Sequence, residues 1–191
     1  MTKLYFVRHA QSDYRSGSDR ERGLTAEGQA DAGVVLEFLR DKPVDAFWCS
    51  PYRRSLDTVR EAAAYFGLPI HTDERLRERE SAPGGNIREL FPKRWADFDW
   101  HEPGGESLRS TQARNIAALT DILEQNRDKT VVIGTHGTAL STILNYYEPD
   151  YDCDSFLRII DWMPFVVELD FEGTRFLTKT EHVHVEKIFK P

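Results

Sequence analysis

The chain has 191 residues, 25 of them Lys or Arg and 32 Asp or Glu, which gives a net charge of −7 near neutral pH. This length predicts one domain over residues 1–191, because domains average roughly 150 residues. A hydrophobic content of 40% excludes a disordered chain, the acidic balance argues against nucleic-acid binding, and no apolar run approaches the roughly 20 residues of a membrane span. The apolar stretch Leu4–Val7 is too short for a signal peptide, and Cys49 and Cys153 are too few for a disulfide framework. These features predict a cytoplasmic protein.

Strands and helices alternate along most of the chain. In chain order, the predicted elements are a strand over Lys3–Val7, a helix over about Ala26–Arg40, a strand over Ala46–Cys49, a helix from Pro51 that ends at Gly67, a strand over Pro69–Thr72, a helix over Ser107–Gln125, a strand over Thr130–Ile133 and a helix over Thr138–Tyr146. Ser50 is expected to cap the second helix, with Pro51 at its first position. Strands that alternate with helices predict an α/β fold, a three-layer sandwich with a mostly parallel central sheet flanked by helices.

Two further features are predicted outside this alternation. Pro164–Phe171 and Thr174–Val185 alternate in polarity around a Glu-Gly pair, which indicates a hairpin at the edge of the sheet. The segment at about 80–106 has no clean period and carries two Gly-Gly pairs. A loop of this length inside a compact domain is usually functional or partly helical, so we expect a lid insertion. Trp95, Phe98 and Trp100 in this segment form either a substrate platform or a small core beneath the lid.

Reactive side chains follow three of the predicted strands. Arg8 and His9 come after the first strand, Arg54 lies at the start of the helix after the second, and His136 follows the strand over Thr130–Ile133. The carboxyl ends of parallel strands meet at one edge of a sheet, so these residues are expected to converge there. Imidazoles and guanidiniums at helix N-termini form a site suited to a dianion, and phosphate is the obvious candidate.

Six ordered blocks of the sequence resemble the histidine phosphatase superfamily, which includes phosphoglycerate mutase. The blocks are Arg8-His9-Ala10-Gln11-Ser12, Leu24-Thr25-Ala26-Glu27-Gly28-Gln29-Ala30, Ser50-Pro51-Tyr52-Arg53-Arg54-Ser55-Leu56-Asp57-Thr58, Leu76-Arg77-Glu78-Arg79, Pro103-Gly104-Gly105-Glu106-Ser107 and Thr135-His136-Gly137. The first block alone is a weak match, whereas six blocks in family order are a specific one.

The resemblance implies a catalytic role for five residues. His9 is the expected nucleophile, because a neutral imidazole is competent near pH 7, and its attack on phosphorus would give a phosphohistidine. Arg8 and Arg54 would hold the phosphoryl oxygens through their forked guanidiniums. His136, protonated when phosphate is bound, would stabilise charge on the same oxygens. Glu78, kept protonated by partial burial under the lid, would donate a proton to the leaving oxygen and then help to activate water.

Four neighbouring residues complete the predicted site or compete for a place in it. Glu74 and Glu80 compete with Glu78 for the acid role, since all three belong to a charged run that is typical of a solvated surface. Ser12 belongs to the first block and is expected to bind substrate. Arg15 stands where many members of the family have Asn in the phosphate pocket, so it either replaces that contact or binds a second acidic group of the substrate.

The leading prediction is metal-independent hydrolysis of a small phosphate monoester through His9, with no cofactor. Arg15–Gly23 is shorter than the matching segment of the mutases, which favours entry of water over retention of a bisphosphate intermediate. The alternatives are a cofactor-dependent phosphoglycerate mutase, a phosphohistidine protein phosphatase, whose family members generally lack a lid, and a noncatalytic phosphate-binding module. His182 and His184 share one face of a predicted strand, where a surface position is favoured over a metal pair. No oligomeric state is predicted.

Overall fold

A six-stranded sheet lies between two layers of helices. The structure is a computed structural model that describes residues 1–187. Its strands are β1 (Thr2–Arg8), β2 (Ala46–Cys49), β3 (Ile70–Thr72), β4 (Thr130–Thr135), β5 (Trp162–Glu172) and β6 (Arg175–Glu186). Its α-helices are α1 (Ala26–Asp31), α2 (Gly33–Leu39), α3 (Arg53–Phe66), α4 (Phe91–Ala96), α5 (Leu108–Gln125), α6 (Gly137–Tyr147) and α7 (Cys153–Arg158).

The strand order is β3-β2-β4-β1-β5-β6, with two kinds of pairing. β1 pairs with β4, β4 with β2, and β2 with β3 in parallel. β5 pairs antiparallel with β1, and β6 antiparallel with β5. The three-layer architecture, the mostly parallel sheet and the edge hairpin predicted from the sequence are therefore confirmed. The carboxyl ends of the parallel strands β1, β2 and β4 lie side by side at one edge.

The two faces of the sheet support separate cores. Leu4 and Phe6 of β1 face a cluster with α5, α6 and α7, whereas Tyr5 and Val7 face a cluster with α2 and α3. All four side chains are at most 4% exposed. This alternation follows from the two-residue period of a strand, which sends successive side chains to opposite faces. Helices therefore cover both faces of the sheet, and its carboxyl edge stays open for the loops that carry the predicted site residues.

The single helix predicted over 26–40 is two helices. α1 ends at Asp31 and α2 begins at Gly33, and Ala32 between them has φ −59° and ψ −25°. The amide of Val35 donates to the carbonyl of Ala32 three residues earlier, which is the tighter 3₁₀ pattern. Glycine is a poor helix former and a common site of kinks, so Gly33 explains the break.

The start of α3 also differs from the prediction. The helix begins at Arg53, and Tyr52 rather than Ser50 is its N-cap residue. The hydroxyl of Ser50 accepts from the amide of Tyr52 at 3.2 Å, so it organises the turn before the helix instead of the first turn itself. The predicted C-terminal end is confirmed, because Gly67 takes the left-handed conformation, at φ 66°.

The segment at 80–106 is partly helical. It contains a 3₁₀ turn over Arg88–Leu90 and the short helix α4. Trp95 stacks on Phe156 of α7 with ring centroids 5.6 Å apart, so this aromatic side chain belongs to the core rather than to a substrate platform. The sequence left α7 unassigned. Within residues 1–187, no helix combines the length and apolar character needed to cross a bilayer.

Candidate active site

Three segments that are distant in sequence converge at the carboxyl edge of the sheet. His9 directly follows β1, Arg54 is the second residue of α3, and His136 is the N-cap residue of α6. The rings of His9 and His136 have centroids 5.2 Å apart. Nε of Arg54 donates to Nε2 of His9 at 3.2 Å. The convergence expected from the ends of the parallel strands is thus present, and it brings two imidazoles and one guanidinium together.

The ring of His9 is fixed as a neutral tautomer whose lone pair is on Nε2, where it accepts from Arg54. Nδ1 lies 2.7 Å from the carbonyl oxygen of Ala10, which can only accept, so Nδ1 carries the proton. Burial holds the pKa of His9 well below 6.5, and the guanidiniums of Arg54 and Arg8 lower this pKa further. The ring is therefore uncharged at neutral pH, as the predicted nucleophile role requires.

Arg54 connects His9 with the loop before α1, through contacts to His9 and Asp19. Its side chain is only 1% exposed, and burial lowers its pKa. Nη1 donates to the backbone carbonyl of Asp19 and lies 3.4 Å from the carboxylate of the same residue. The guanidinium also lies over the ring of Tyr52, 5.1 Å from its centroid. Its position is therefore determined on three sides before any ligand binds.

His136 is fully buried behind His9 and is not part of the cavity wall. Nε2 lies 2.7 Å from Oγ of Ser50, and Nδ1 has no hydrogen-bond partner among residues 1–187. Burial and the nearby Arg54 and His9 hold the pKa of His136 well below 6.5. The Ser50 hydroxyl already accepts from an amide, so it can donate its own proton to Nε2 and leave Nδ1–H as a donor.

Arg8 has partners that the sequence did not reveal. Its two terminal nitrogens donate to the backbone carbonyls of Ile159 and Ile160, the latter at 2.9 Å. Its Nε is buried without a hydrogen-bond partner within residues 1–187. Arg8 lines the cavity, and two of its five N–H donors are used by the carbonyl oxygens, which leaves Nε as the nitrogen without a partner.

Glu78 is anchored at the N-terminus of α6. Oε1 accepts from the amides of Arg79 and Ala139, each at 2.8 Å, and Oε2 accepts from the amide of Thr138 at 3.0 Å. Glu78 lines the cavity. These three N–H donors fix the position of the Glu78 carboxyl group relative to α6.

The competing acids and two predicted ligands lie elsewhere. Glu74 pairs with Arg20, and Glu80 has a side chain that is 66% exposed; neither lines the cavity. Arg15 is 90% exposed and pairs with Asp13, so it points away from the cavity. Ser12 is buried behind the wall, and its hydroxyl has no hydrogen-bond partner among the described residues.

A cavity of about 650 Å³ opens beside His9 and Arg54. One wall comes from the loop before α1 and contains Tyr14, Asp19 and Arg22. Another comes from the 80–106 segment and contains Ser81, Gly84, Gly85, Asn86, Ile87, Arg88, Glu89 and Phe91. Sequence reasoning missed the roles of Asp19 and Arg22 as wall residues. Nothing in the spacing distinguished them from the other charged residues of a polar loop.

His182 and His184, the two histidines of β6, contact different partners. His182 lies 2.7 Å from Glu168, whereas His184 stacks on Trp162 with centroids 3.8 Å apart. In the part of the chain that the structure describes, no three His, Cys, Asp or Glu side chains are grouped as metal ligands.

Comparison with known proteins identifies the family. The sequence profile of the histidine phosphatase superfamily (branch 1) matches residues 4–180. The chain therefore belongs to this superfamily, and the predicted enzyme class, a phosphoric monoester hydrolase of the histidine phosphatase type, is confirmed.

Similar proteins include both phosphatases and a mutase. The chain is 35% identical over 164 residues to the putative phosphoserine phosphatase 2 of Hydrogenobacter thermophilus, covering 75% of this chain and 77% of that protein. It is 29% identical over 163 residues to the 2,3-bisphosphoglycerate-dependent phosphoglycerate mutase 2 of Gloeobacter violaceus, covering 75% and 74%. Among solved structures, YhfR from Bacillus stearothermophilus aligns with a TM-score of 0.77 at 25% identity, covering 93% of this chain and 95% of that one.

Proposed function

We propose that this chain hydrolyses small phosphate monoesters through a phosphohistidine formed on Nε2 of His9. The observation that carries the proposal is the state of that ring. Its Nδ1–H donates to the carbonyl of Ala10, its Nε2 lone pair lies beside the guanidinium of Arg54, and both residues line one cavity. A neutral, oriented imidazole next to a buried cation is the arrangement that attack on a phosphoryl group requires.

In the first half-reaction, Nε2 attacks phosphorus as the bond from phosphorus to the ester oxygen breaks. Arg54 shifts its Nε–H from His9 to a phosphoryl oxygen, and Nε of Arg8 supplies a second charged donor. The leaving oxygen takes a proton from the carboxyl of Glu78. Phosphoryl transfer depends mainly on position and charge, so these fixed donors carry most of the rate enhancement.

In the second half-reaction, water attacks the phosphohistidine. The ionised carboxylate of Glu78 removes a proton from this water as the new oxygen–phosphorus bond forms and the nitrogen–phosphorus bond breaks. Inorganic phosphate and the original imidazole result, and Glu78 holds the proton for the next leaving group. The three backbone donors support this step because they hold the Glu78 carboxyl group in one orientation.

Hydrolysis of a small ester is favoured over the alternatives by the cavity walls. The short loop that contains Asp19 and Arg22 contributes one wall, and the 80–106 segment contributes the other. Walls on both sides favour a substrate of metabolite size over a protein surface that carries phosphohistidine. Mutase activity remains the second candidate, since one of the similar proteins is a phosphoglycerate mutase.

A chromogenic aryl phosphate tests the covalent mechanism. Wild-type protein should turn the ester over, and His9→Ala should lose at least about 10³-fold in kcat, because removing a nucleophile removes the whole pathway. After incubation with ³²P-labelled ester and a rapid quench, acid-labile, base-stable label should be found on wild type alone.

His71→Gln is the matched control, since His71 is exposed on β3, outside the cavity. This variant should keep wild-type turnover and labelling. Turnover that survives in His9→Ala would exclude the phosphohistidine. Interconversion of 3- and 2-phosphoglycerate faster than hydrolysis of either would replace the phosphatase with the mutase.

A further inference from the structure

One carboxylate, that of Asp19, is paired with two arginines that line the cavity. Oδ1 of Asp19 lies 2.8 Å from Nη2 of Arg22 and 3.4 Å from Nη1 of Arg54. The backbone carbonyl of Asp19 also accepts from Nη1 of Arg54. All three residues line the cavity. The anion that these two guanidiniums hold in the resting protein is therefore a side chain of the protein itself.

The nucleophile is engaged in the same resting arrangement. Nε of Arg54 donates to Nε2 of His9, the atom that must attack phosphorus. Arg54 is thus bound at one end by the nucleophile and at the other by Asp19. A phosphoryl group that binds next to His9 takes the Nε–H of Arg54 and releases Nε2 of His9. At the other end of the same guanidinium it meets the carboxylate of Asp19, another anion, with which it competes.

Asp19 is able to leave. Its side chain is 44% exposed, whereas that of Arg54 is 1% exposed and that of Arg22 is 17% exposed. The carboxylate can turn into solvent while the two cations stay in place. A phosphate dianion brings two negative charges to the position that one carboxylate held, and a retained carboxylate would repel it.

We infer that Asp19 is a placeholder anion, which occupies the phosphoryl site between turnovers and competes product phosphate out of it. The inference rests on the proposed function, because it concerns the same phosphoryl site. A site whose competent state is only partly populated binds every phosphoryl ligand more weakly by that fraction. Weakened binding of inorganic phosphate favours its release, which a hydrolase requires after each turnover.

Asp19→Asn tests the inference, since it removes the charge and keeps the size of the side chain and the backbone carbonyl. We expect the inhibition constant of inorganic phosphate and the KM of an aryl phosphate to fall together by about tenfold. The kcat should stay constant or fall, because phosphate leaves more slowly. A role limited to holding Arg22 and Arg54 in place would move both constants in the opposite direction.

Asp13→Asn serves as the control. It makes the same change of charge in the same loop, where the carboxylate accepts from the backbone and Nε of Arg15 outside the cavity. This variant should bind phosphate within about twofold of wild type, because a remote surface charge is screened.

The outcomes separate the two proposals. Wild-type protein that neither binds phosphate nor hydrolyses esters would remove the proposed function and this inference together. Wild-type protein that hydrolyses esters, with unchanged or weaker phosphate binding in Asp19→Asn, would remove the placeholder alone. Equal tightening in Asp13→Asn would assign the effect to net charge and would also overturn it.

Discussion

Glu78 is held differently from the other acids that line the cavity. Two of its three amide donors, those of Thr138 and Ala139, belong to the first turn of α6. The carboxyl therefore has a fixed position relative to His136, which immediately precedes that helix. Of the other acids of the wall, Asp19 lies on a loop and Glu89 on the 3₁₀ turn over Arg88–Leu90. Proton transfer at a defined point on the reaction path requires a group with a fixed position, so Glu78 suits the proposed acid role better than Asp19 or Glu89 does.

Replacement of Glu78 by Gln tests whether this residue donates the proton to the leaving oxygen, as proposed. The nitrophenolate of a nitrophenyl ester leaves without being protonated, so the rate of phosphohistidine formation from this ester should fall by no more than about tenfold. An alkyl ester such as phosphoserine needs the proton, and its rate should fall by about 10²- to 10⁴-fold. Single-turnover measurements of label on His9 report this step apart from hydrolysis of the intermediate.

Glu80→Gln is the matched control for that measurement, because Glu80 is two residues away and exposed outside the cavity. It should leave both rates unchanged. Losses of equal size for the two esters in Glu78→Gln would assign proton transfer to another group.

At the residue scale, the sequence supported the convergence of His9, Arg54 and His136, because strand ends in a parallel sheet determine neighbours without knowledge of side chains. It did not reveal that Arg8 donates to the carbonyls of Ile159 and Ile160, since those residues lie about 150 positions away on a turn that follows α7. It also assigned substrate binding to Arg15, which the structure places outside the cavity. Loop geometry depends on contacts that have no period.

Among the elements, α1 depends on a close approach to the active-site loop. A Cβ at Gly28 would lie 2.2 Å from the carbonyl oxygen of Gln11, which follows the nucleophile by two residues. A Cβ at Gly33, at the start of α2, would meet nothing within 4 Å. Glycine is therefore required at the first position for packing, and at the second it only costs helix propensity.

Gly28→Ala and Gly33→Ala are expected to change stability in opposite directions. The first should lower the free energy of unfolding by about 1–3 kcal/mol, because the backbone of α1 must move away from the loop. The second should raise it by roughly 0.5–1 kcal/mol, because alanine is the better helix former and restricts the unfolded chain. Urea denaturation of both variants measures the difference. Equal destabilisation would show that α1 does not rest on the loop.

The sequence predicted the ends of the strands and helices that it assigned to within about two residues, but it missed a break inside one helix. The bounds of β2 agree, and those of β1 and β4 extend the predicted strands by two residues each. Buried parallel strands are continuous apolar runs with clear ends. The break at Ala32 was missed, since the apolar face continues through Val35 and Leu39 across it. A kink that preserves the buried face leaves no trace in the hydrophobic period.

For the whole molecule, the net charge and the local charge have opposite signs. The chain carries −7 overall, but five arginines line the cavity against three acids; they are Arg8, Arg22, Arg54, Arg79 and Arg88. At physiological salt the Debye length is about 8 Å, so distant surface carboxylates hardly affect a bound anion. The cavity therefore attracts phosphate despite the acidic surface.

The same positive cavity makes stability depend on pH. His9 and His136 have pKa values well below 6.5 in the folded protein, because of burial and nearby guanidiniums. As the pH falls through about 6.5, these two histidines therefore become protonated in the unfolded chain but stay neutral in the folded chain. The stability that neutral rings provide is complete above about pH 6.5 and is lost as the pH falls towards the folded values. Carboxyls with lowered pKa values, such as Glu106 at about 2, act only below about pH 4.5.

Urea unfolding at about pH 7.5 and about pH 5.5 isolates the histidines. Over this interval each fully buried histidine should contribute a loss of roughly 1 kcal/mol in unfolding free energy. His136→Gln should therefore lose about 1 kcal/mol less than wild type between the two pH values, whatever its stability at either. His71→Gln, on the exposed face of β3, should keep the wild-type difference. A His136→Gln difference equal to that of wild type would contradict this prediction. It would show that His136 binds its proton equally well in the folded and unfolded chains, so that its pKa is not lowered by burial beside Arg54.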